Sequence, residues 1–453
     1  MDILLEDRSF ARLTRVTRFG GGQKGVALAS PPLAMNVWPF ATAGARATGR
    51  QPKSRTVVIL TGKRVFRVVQ PRPSYDIETW RSRIPILQTM IPMNNCSQAP
   101  QAISVREAAE RYLNSWRDDV MDWEPWIEEV ELARAEFARL INADAEDVAV
   151  CSSVSQATAS VAGALEYDGP RDTVVVSQAE FPTVGHVWQA HQRLGAKLRW
   201  VPVEGGEISV DRYSEALDNS VALVSACHGY YQTGFKQDLE ALVDLAHGAG
   251  ALLFVDAYQT LGTHPMDVQS LDVDFLASGN LKYLMGTPGI AFLYVRREIA
   301  DRLEPNVTGW FGQRHPYSFE VDVLDFAAGA RRFDTGTPPI SNAYIARAGM
   351  EIINEVGPVA IREWTEQLSR RLIEGGRERG LDRIGPDDPT RKTPSTAFVC
   401  TGDSHMAEAM LRERGVIGSA RGHVVRMAPH FYSTMEDVDR ALDALAEVFG
   451  GMA

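Results

Sequence analysis

The sequence predicts an α/β protein: a large domain built on a mainly parallel central sheet flanked by helices, followed by a small α+β domain. Three observations predict it. Short apolar runs of strand length, among them VALVSAC, ALLFVD, DFLAS and GIAFLYV, alternate with helical stretches such as LEALVDLAHGAG, the pattern of strands joined by crossover helices. Polar residues gather just past the ends of those runs, where open α/β sheets place their ligand groups. From Ala343 onward the pattern changes to helix, strand and helix with charged faces, in IREWTEQLSRRLIEGGRERG, STAFVCTG and AEAMLRERGV.

Length and charge divide the chain further. Its 453 residues, 45% hydrophobic and 23% charged, suffice for a large core and a smaller one beside it. No apolar stretch is long enough to span a bilayer, and a formal charge of −11 argues against a nucleic-acid or anionic-membrane binder. Residues 1–85 hold 15 Lys and Arg against 5 Asp and Glu, whereas the remainder holds 32 against 53. The first segment is therefore expected to be a basic, poorly ordered extension, with only TVVIL and VFRVVQ looking strand-like. Residues 86–340 form the expected large domain, its N-terminal segment contacting the small domain, and 341–453 the small domain. Cys96, Cys151, Cys227 and Cys400 are widely spaced without a CxxC pair, so no metal site or disulfide framework is expected and a reducing cytoplasm fits best.

Taken in order, IPMNNCSQAP is followed by a stretch with apolar residues at helical spacing around Val130, Ala133, Phe137 and Leu140, read as a helix packing one face on the core. Trp116, Trp123 and Trp126 are read as packing residues. DVAVCSSVSQATASVAGAL is a short strand running into serines and an Ala-rich helix. Free N–H groups and hydroxyls at such a helix start suit a phosphate, although serines also cap helices without any ligand. His247, on the crossover helix before Asp256, is read as structural.

The centre of the chain is Ala251 to Val295. One apolar run ends in Asp256, and a second leads to Lys282, whose neighbours Leu281, Tyr283, Leu284 and Met285 are largely apolar. Desolvation disfavours an ammonium and frees a nucleophilic amine, which is what an imine-forming cofactor requires. A carboxylate at a strand end can pair with a protonated pyridine nitrogen. On spacing alone, a cap at Asp256 and a surface edge at Lys282 remain the alternatives.

The order of VDAYQ, DFLASGNLKYLMG and GIAFLYV resembles the aminotransferase class V group of fold-type I pyridoxal-phosphate (PLP) enzymes, which includes cysteine desulfurases, kynureninases and isopenicillin-N epimerases. The resemblance covers roughly residues 90–450. It implies pyridoxal 5'-phosphate as cofactor, with Asp256 on the pyridine nitrogen, Gln259 at the ring hydroxyl and Lys282 as the Schiff-base residue. It implies phosphate contacts from the Val154 N–H and Ser155, and ring stacking by Phe181 in VVVSQAEFPTVGHVW, where an ordinary core aromatic is the alternative. Tyr231, with Tyr230 an equal claimant, would lie near the cofactor hydroxyl or phosphate. Trp310 in VTGWFGQ and Thr337 in ARRFDTGTPP match phosphate contacts, the latter reaching a neighbouring subunit, so a homodimer with shared active sites is implied. Arg426 in GHVVRMAPHFYSTMEDVDRALDAL matches the Arg that clamps a substrate α-carboxylate, a planar group suited to a guanidinium fork. Asn95 matches a segment crossing toward the site's mouth, with a solvated turn as the alternative.

Departures from the family narrow the expected reaction. The loop GVIGSARGHVV lacks the mobile cysteine of the desulfurases, and Cys400 lies too early in the chain. Val184, Gln259, Leu281 and Thr337 replace residues matched in kynureninases, and Leu281 removes a phosphate ligand that Ser278 or Asn280 would have to replace. The expectation is an enzyme acting on an α-amino acid, of aminotransferase or C–S/β-lyase type. A kynureninase-like hydrolase, an amino-acid epimerase and a non-catalytic binding module are the alternatives.

Overall fold

The computed structural model describes residues 71–452 together with two strands, Thr56–Thr61 and Arg64–Val69. These strands pair antiparallel, Thr56 opposite Val69 and Thr61 opposite Arg64, within a unit that spans Met1–Val69. The other residues of the expected extension up to Gln70 lie outside the described residues.

The second unit, Gln70–Ala453, begins before the expected boundary at residue 86. Asp76 accepts from the N–H groups of Glu78 and Thr79 and so caps a helix, Ile77–Ser82. That helix buries Trp80, Tyr75 donates its hydroxyl to the Phe431 carbonyl at 2.6 Å, and Arg81 meets Asp437 at 2.6 Å. Basic composition concealed these anchors because their partners lie at the far end of the chain.

Seven strands form the central sheet: β1 (Val148–Cys151), β2 (Thr173–Ser177), β3 (Lys197–Val201), β4 (Val221–Cys227), β5 (Leu252–Asp256), β6 (Phe275–Gly279) and β7 (Ala291–Val295). Their order is β1-β7-β6-β5-β4-β2-β3. Strand β7 is antiparallel to both its neighbours, and the other pairings are parallel. Leu253 and Val255 of β5 enter one core, with Phe137 and Ile353 of the helices Trp123–Leu140 and Ile340–Val356; Phe254 enters the other, with Val161 and Trp188. Burial on both faces explains why these strands read as continuous apolar runs. The crossover helix Leu239–Gly248 starts at Asp238, which accepts from the Ala241 N–H, and its His247 is held 2.9 Å from the buried Asp274. The single helical stretch expected before β1 is two helices, Ile103–Asp119 and Trp123–Leu140, broken where Val120 takes a positive φ of 62°.

The small domain carries an antiparallel sheet of Arg383–Ile384, Thr396–Val399, Val424–Met427 and Ser419–Arg421 in that order. Leu368, Leu411 and Leu445 from its three helices share one core with Phe398 and Val425. Ile91–Pro92 pairs in parallel with Val416–Ile417, so the segment before the first long helix is stitched to the small domain as it passes toward β5 and β6. Among the described residues, no helix is long and apolar enough to cross a membrane.

Candidate active site

Parallel strands deliver their C-terminal ends to one edge of the sheet, and a cavity of about 310 Å³ opens there. Val154, Ser155, Phe181, Tyr231, Asp256, Gln259, Lys282 and Arg426 all line it. Eight residues spread over 273 positions of sequence are thus gathered by the ends of β1, β2, β4, β5 and β6 and by the small-domain sheet.

Asp256 is the last residue of β5 and is only 6% exposed. Its Oδ1 accepts from the Tyr258 N–H at 2.9 Å, and burial raises its carboxyl above the ordinary value. Lys282 lies on the turn after β6, with Nζ 4.1 Å from the Tyr258 ring centre and 5.6 Å from that of Phe181. Burial lowers its amine from 10.5 to about 8, with Asp256 pulling the other way and Arg426 and Arg421 adding to the fall. An amine at about 8 is about one-tenth free at pH 7, far more than a lysine at its ordinary value. The turn that carries it is held from behind: a Cβ built on Gly349 of helix Ile340–Val356 would stand 2.4 Å from the Leu284 carbonyl oxygen.

One end of the cavity is the start of helix Val154–Ala162. Ser153 caps it through the Gln156 N–H at 3.2 Å, and Ser153, Val154 and Ser155 line the cavity at the helix start, where the first N–H groups lack intrahelical partners. Thr183 lines the same end, with Ser155 Oγ 3.5 Å from its hydroxyl. Phe181 packs edge-on against Tyr231 at 5.2 Å. Tyr231, and not Tyr230, faces the cavity, because the Tyr230 hydroxyl donates to Gln232 at 2.6 Å. At the small-domain side, Arg426 is 1% exposed and donates to the Tyr231 carbonyl at 2.6 Å and to the Ser97 and Ser419 hydroxyls at 2.9 and 2.7 Å.

Four expected residues lie elsewhere in the single chain. Asn95 is fully buried in a tie, donating to the Ala428 carbonyl at 2.7 Å and accepting from Tyr432; it anchors the segment while Cys96 and Ser97 reach the cavity. Ser278 turns into the sheet and donates to the Gly279 carbonyl at 2.9 Å. Neither it nor the buried Asn280 lines the cavity, so neither replaces the ligand lost at Leu281. Trp310 stacks on Trp123 at 5.9 Å beside a separate groove. Thr337 lines another recess with Gln156 and Arg134. The sequence did not single out Ser97, Thr183, Tyr258 or Arg421, although each lies inside a stretch compared with the family, IPMNNCSQAP, VVVSQAEFPTVGHVW, VDAYQ and GVIGSARGHVV. Cys227 lines the cavity, its thiol pushed up by burial and donating to the Ala179 carbonyl at 3.2 Å.

A desolvated lysine facing a strand-end carboxylate, with a helix N-terminus at one end and a guanidinium at the other, defines an enzyme of the imine-forming, cofactor-dependent class. The chain belongs to the aminotransferase class-V family, whose model matches residues 96–441. It is 36% identical over 371 residues to the uncharacterized aminotransferase YcbU of Bacillus subtilis, covering 82% of this chain and 97% of that one. A kynureninase of Deinococcus radiodurans is 27% identical, over 76% of this chain and 84% of its own length. The solved apo structure of the cysteine desulfurase from Thermococcus onnurineus NA1 superposes with a TM-score of 0.75 at 25% identity, covering 85% of this chain and all of the desulfurase. This is a fold-type I enzyme family, and its cofactor is pyridoxal phosphate. The cavity fits that group. Gln259 donates its amide to the Cys96 carbonyl at 3.0 Å while its Oε1, buried, has no partner among the described residues, so a hydrogen-bonding ring substituent would complete it.

Proposed function

We propose that the chain is a PLP-dependent enzyme acting on an α-amino acid, of aminotransferase or C–S/β-lyase type. The observation that carries this reading is the placement of the Lys282 amine against Tyr258 and Phe181 in a cavity that also holds Asp256 and Arg426. Bound there, the cofactor would supply an electron sink for negative charge developing at the substrate Cα. Asp256 would hold the proton on the pyridine nitrogen, and Gln259 would meet the ring hydroxyl. The Val154 N–H, Ser155 and Thr183 would hold the phosphate, and Phe181 would cover the ring face. Arg426 would orient the α-carboxylate, and Lys282 would move the proton at Cα. The desulfurase reading lacks its carrier: Gly415–Val425 contains no cysteine, and Cys400 is buried outside the cavity lining.

We further propose a homodimer in which Thr337 and Trp310 serve the neighbouring chain's cavity. Their separation from the cavity of their own chain supports this, as does the exposure of Tyr317, Phe319, Val321 and Leu324 beside Trp310. Borohydride treatment of the holoenzyme followed by peptide mapping tests the site, and labelling of a lysine other than Lys282 would overturn it. Mass analysis of products then separates the reaction types: a 2-oxo acid with aminated cofactor marks transamination, and a 2-oxo acid with released ammonia and thiol marks β-elimination.

A further inference from the structure

Arg421 also lines the cavity, and its position follows from a tight hairpin. Ser419–Arg421 pairs with Val424–Met427 so that Arg421 lies opposite Val424 and Ser419 opposite Arg426. Only Gly422 and His423 make the turn, and Gly422 takes the left-handed φ of 56° that such a turn demands. Residues two apart share a face of a strand, so Arg421 and Arg426 are diagonal neighbours on one face, about 7–8 Å apart along the backbone in such a pairing.

The two guanidiniums are occupied differently. Arg426 is buried and spends donors on Tyr231, Ser97 and Ser419. Arg421, half-buried, makes one hydrogen bond, from Nη1 to the carbonyl of its own neighbour Ala420 at 2.8 Å. Among the described residues it has no carboxylate partner, and Glu408 on the covering helix instead accepts from the Ala420 N–H at 3.4 Å. With the Lys282 amine committed to the cofactor, the cavity wall carries two guanidiniums for the substrate and one carboxylate, Asp256. A single α-carboxylate on Arg426 would leave the fork of Arg421 facing the ligand unanswered, an unfavourable state for a partly desolvated charge.

We propose that Arg421 is a specificity-determining residue that makes this site select amino acids bearing a second anionic group on the side chain. This rests on the reading of the cavity as an α-amino-acid site. A four- or five-carbon dicarboxylic amino acid would span the two guanidiniums, each carboxylate meeting one planar fork.

The test uses the holoenzyme and two matched pairs, aspartate against asparagine and glutamate against glutamine, titrated by the change in cofactor absorbance. At least one anionic member should half-saturate at a concentration ~10-fold or more below its amide. Arg421→Met should erase that preference while moving the amides less than about threefold, and Arg421→Lys should restore part of it. Equal response to acid and amide in the wild type, or equal loss for both in Arg421→Met, overturns the proposal. Calorimetric binding of glutarate against butyrate needs no amine and separates the two failures. A glutarate preference that vanishes in Arg421→Met, with no spectral response to any amino acid, would sink the amino-acid reading and leave the dianion site standing. A spectral response without preference in either assay would do the reverse.

Discussion

Lys282 holds its Nζ 4.1 Å from the centre of the Tyr258 ring, two residues beyond the carboxylate at the end of the neighbouring strand. The amine is thus enclosed by aromatic surface while Asp256 remains close enough to oppose its deprotonation, and the balance falls at about 8. The pair brings together the two ends of the central motif, and three measurable consequences come from it and its supports.

The first is a rate. The apoenzyme should capture PLP with a rate that rises with pH through a midpoint near 8, because the free amine is the nucleophile. Asp256→Asn should move the midpoint further down, since it removes the charge that favours the ammonium. Stopped-flow absorbance of reconstitution reads both; a wild-type midpoint above 10 would remove the desolvated lysine from the account.

The same shift predicts stability in the apoprotein. Lys282 has a folded-state value below its unfolded value of 10.5, so the folded state takes up its proton less readily. The penalty is complete below pH 8 and vanishes above about 10.5. Lys282→Met should therefore be the more stable apoprotein at pH 7, by on the order of 1–3 kcal/mol, with the gap closing toward pH 10. Urea unfolding of both proteins at the two pH values checks the sign.

Gly349 tests the support behind the turn. Gly349→Ala would set a methyl group against the Leu284 carbonyl, 2.4 Å away, within the segment where Met285 already holds a positive φ of 58°. Overpacking of this kind costs about 1–3 kcal/mol. The variant should unfold earlier and capture the cofactor more slowly, although it touches neither cofactor nor substrate. Wild-type stability together with wild-type capture would show that the turn is not braced by this helix.

How much of this was legible depends on how local each signal is. Strand periodicity is a short-range pattern, so the fold class could be read directly, whereas Asp256 and Lys282 left a cap and a surface edge open on spacing alone and took their expected roles from the family resemblance. Thr183 and Ser97 enter from segments whose own sequences say only helix and turn. Arg421 depended on hairpin register, which a two-residue Gly422–His423 turn encodes only once the flanking strands are known to pair. Asn95, Ser278 and Asn280 are polar residues in the right segments, yet burial turned each toward backbone or packing. The helix Ile77–Ser82 was hidden in a basic stretch because its contacts are with Phe431, Tyr432 and Asp437.

The proposed shared site makes a mixing prediction. Lys282→Ala and Thr337→Ala chains should each form dimers with impaired sites, whereas each co-refolded heterodimer should carry one native site and one doubly impaired site if Thr337 serves only its partner, so that the separated heterodimer recovers about half of the wild-type sites. Cofactor absorbance and turnover of the separated heterodimer read the recovery. None would place Thr337 in a purely intrachain role, in the recess it lines with Gln156 and Arg134.

Arg426 separates an enzyme of α-amino acids from a fold that merely retains its cofactor. Its guanidinium is 1% exposed and already tied to Tyr231, Ser97 and Ser419, so the fork is held in place before any substrate arrives. Loss of one partner of a buried charged hydrogen bond costs ~2–5 kcal/mol, or roughly 30-fold to several thousand-fold in binding. Arg426→Ala should keep the cofactor absorbance and lose the spectral response to α-amino acids by about that factor. Simple amines without a carboxylate supply the internal control, because a general collapse around Ser97 and Ser419 would weaken them as well. Arg426→Lys should recover only part of the loss, since an ammonium lacks the planar fork. Equal responses of wild type and Arg426→Ala to amino acids would exclude Arg426 from carboxylate recognition and leave Arg421 as the remaining guanidinium in the cavity able to perform it.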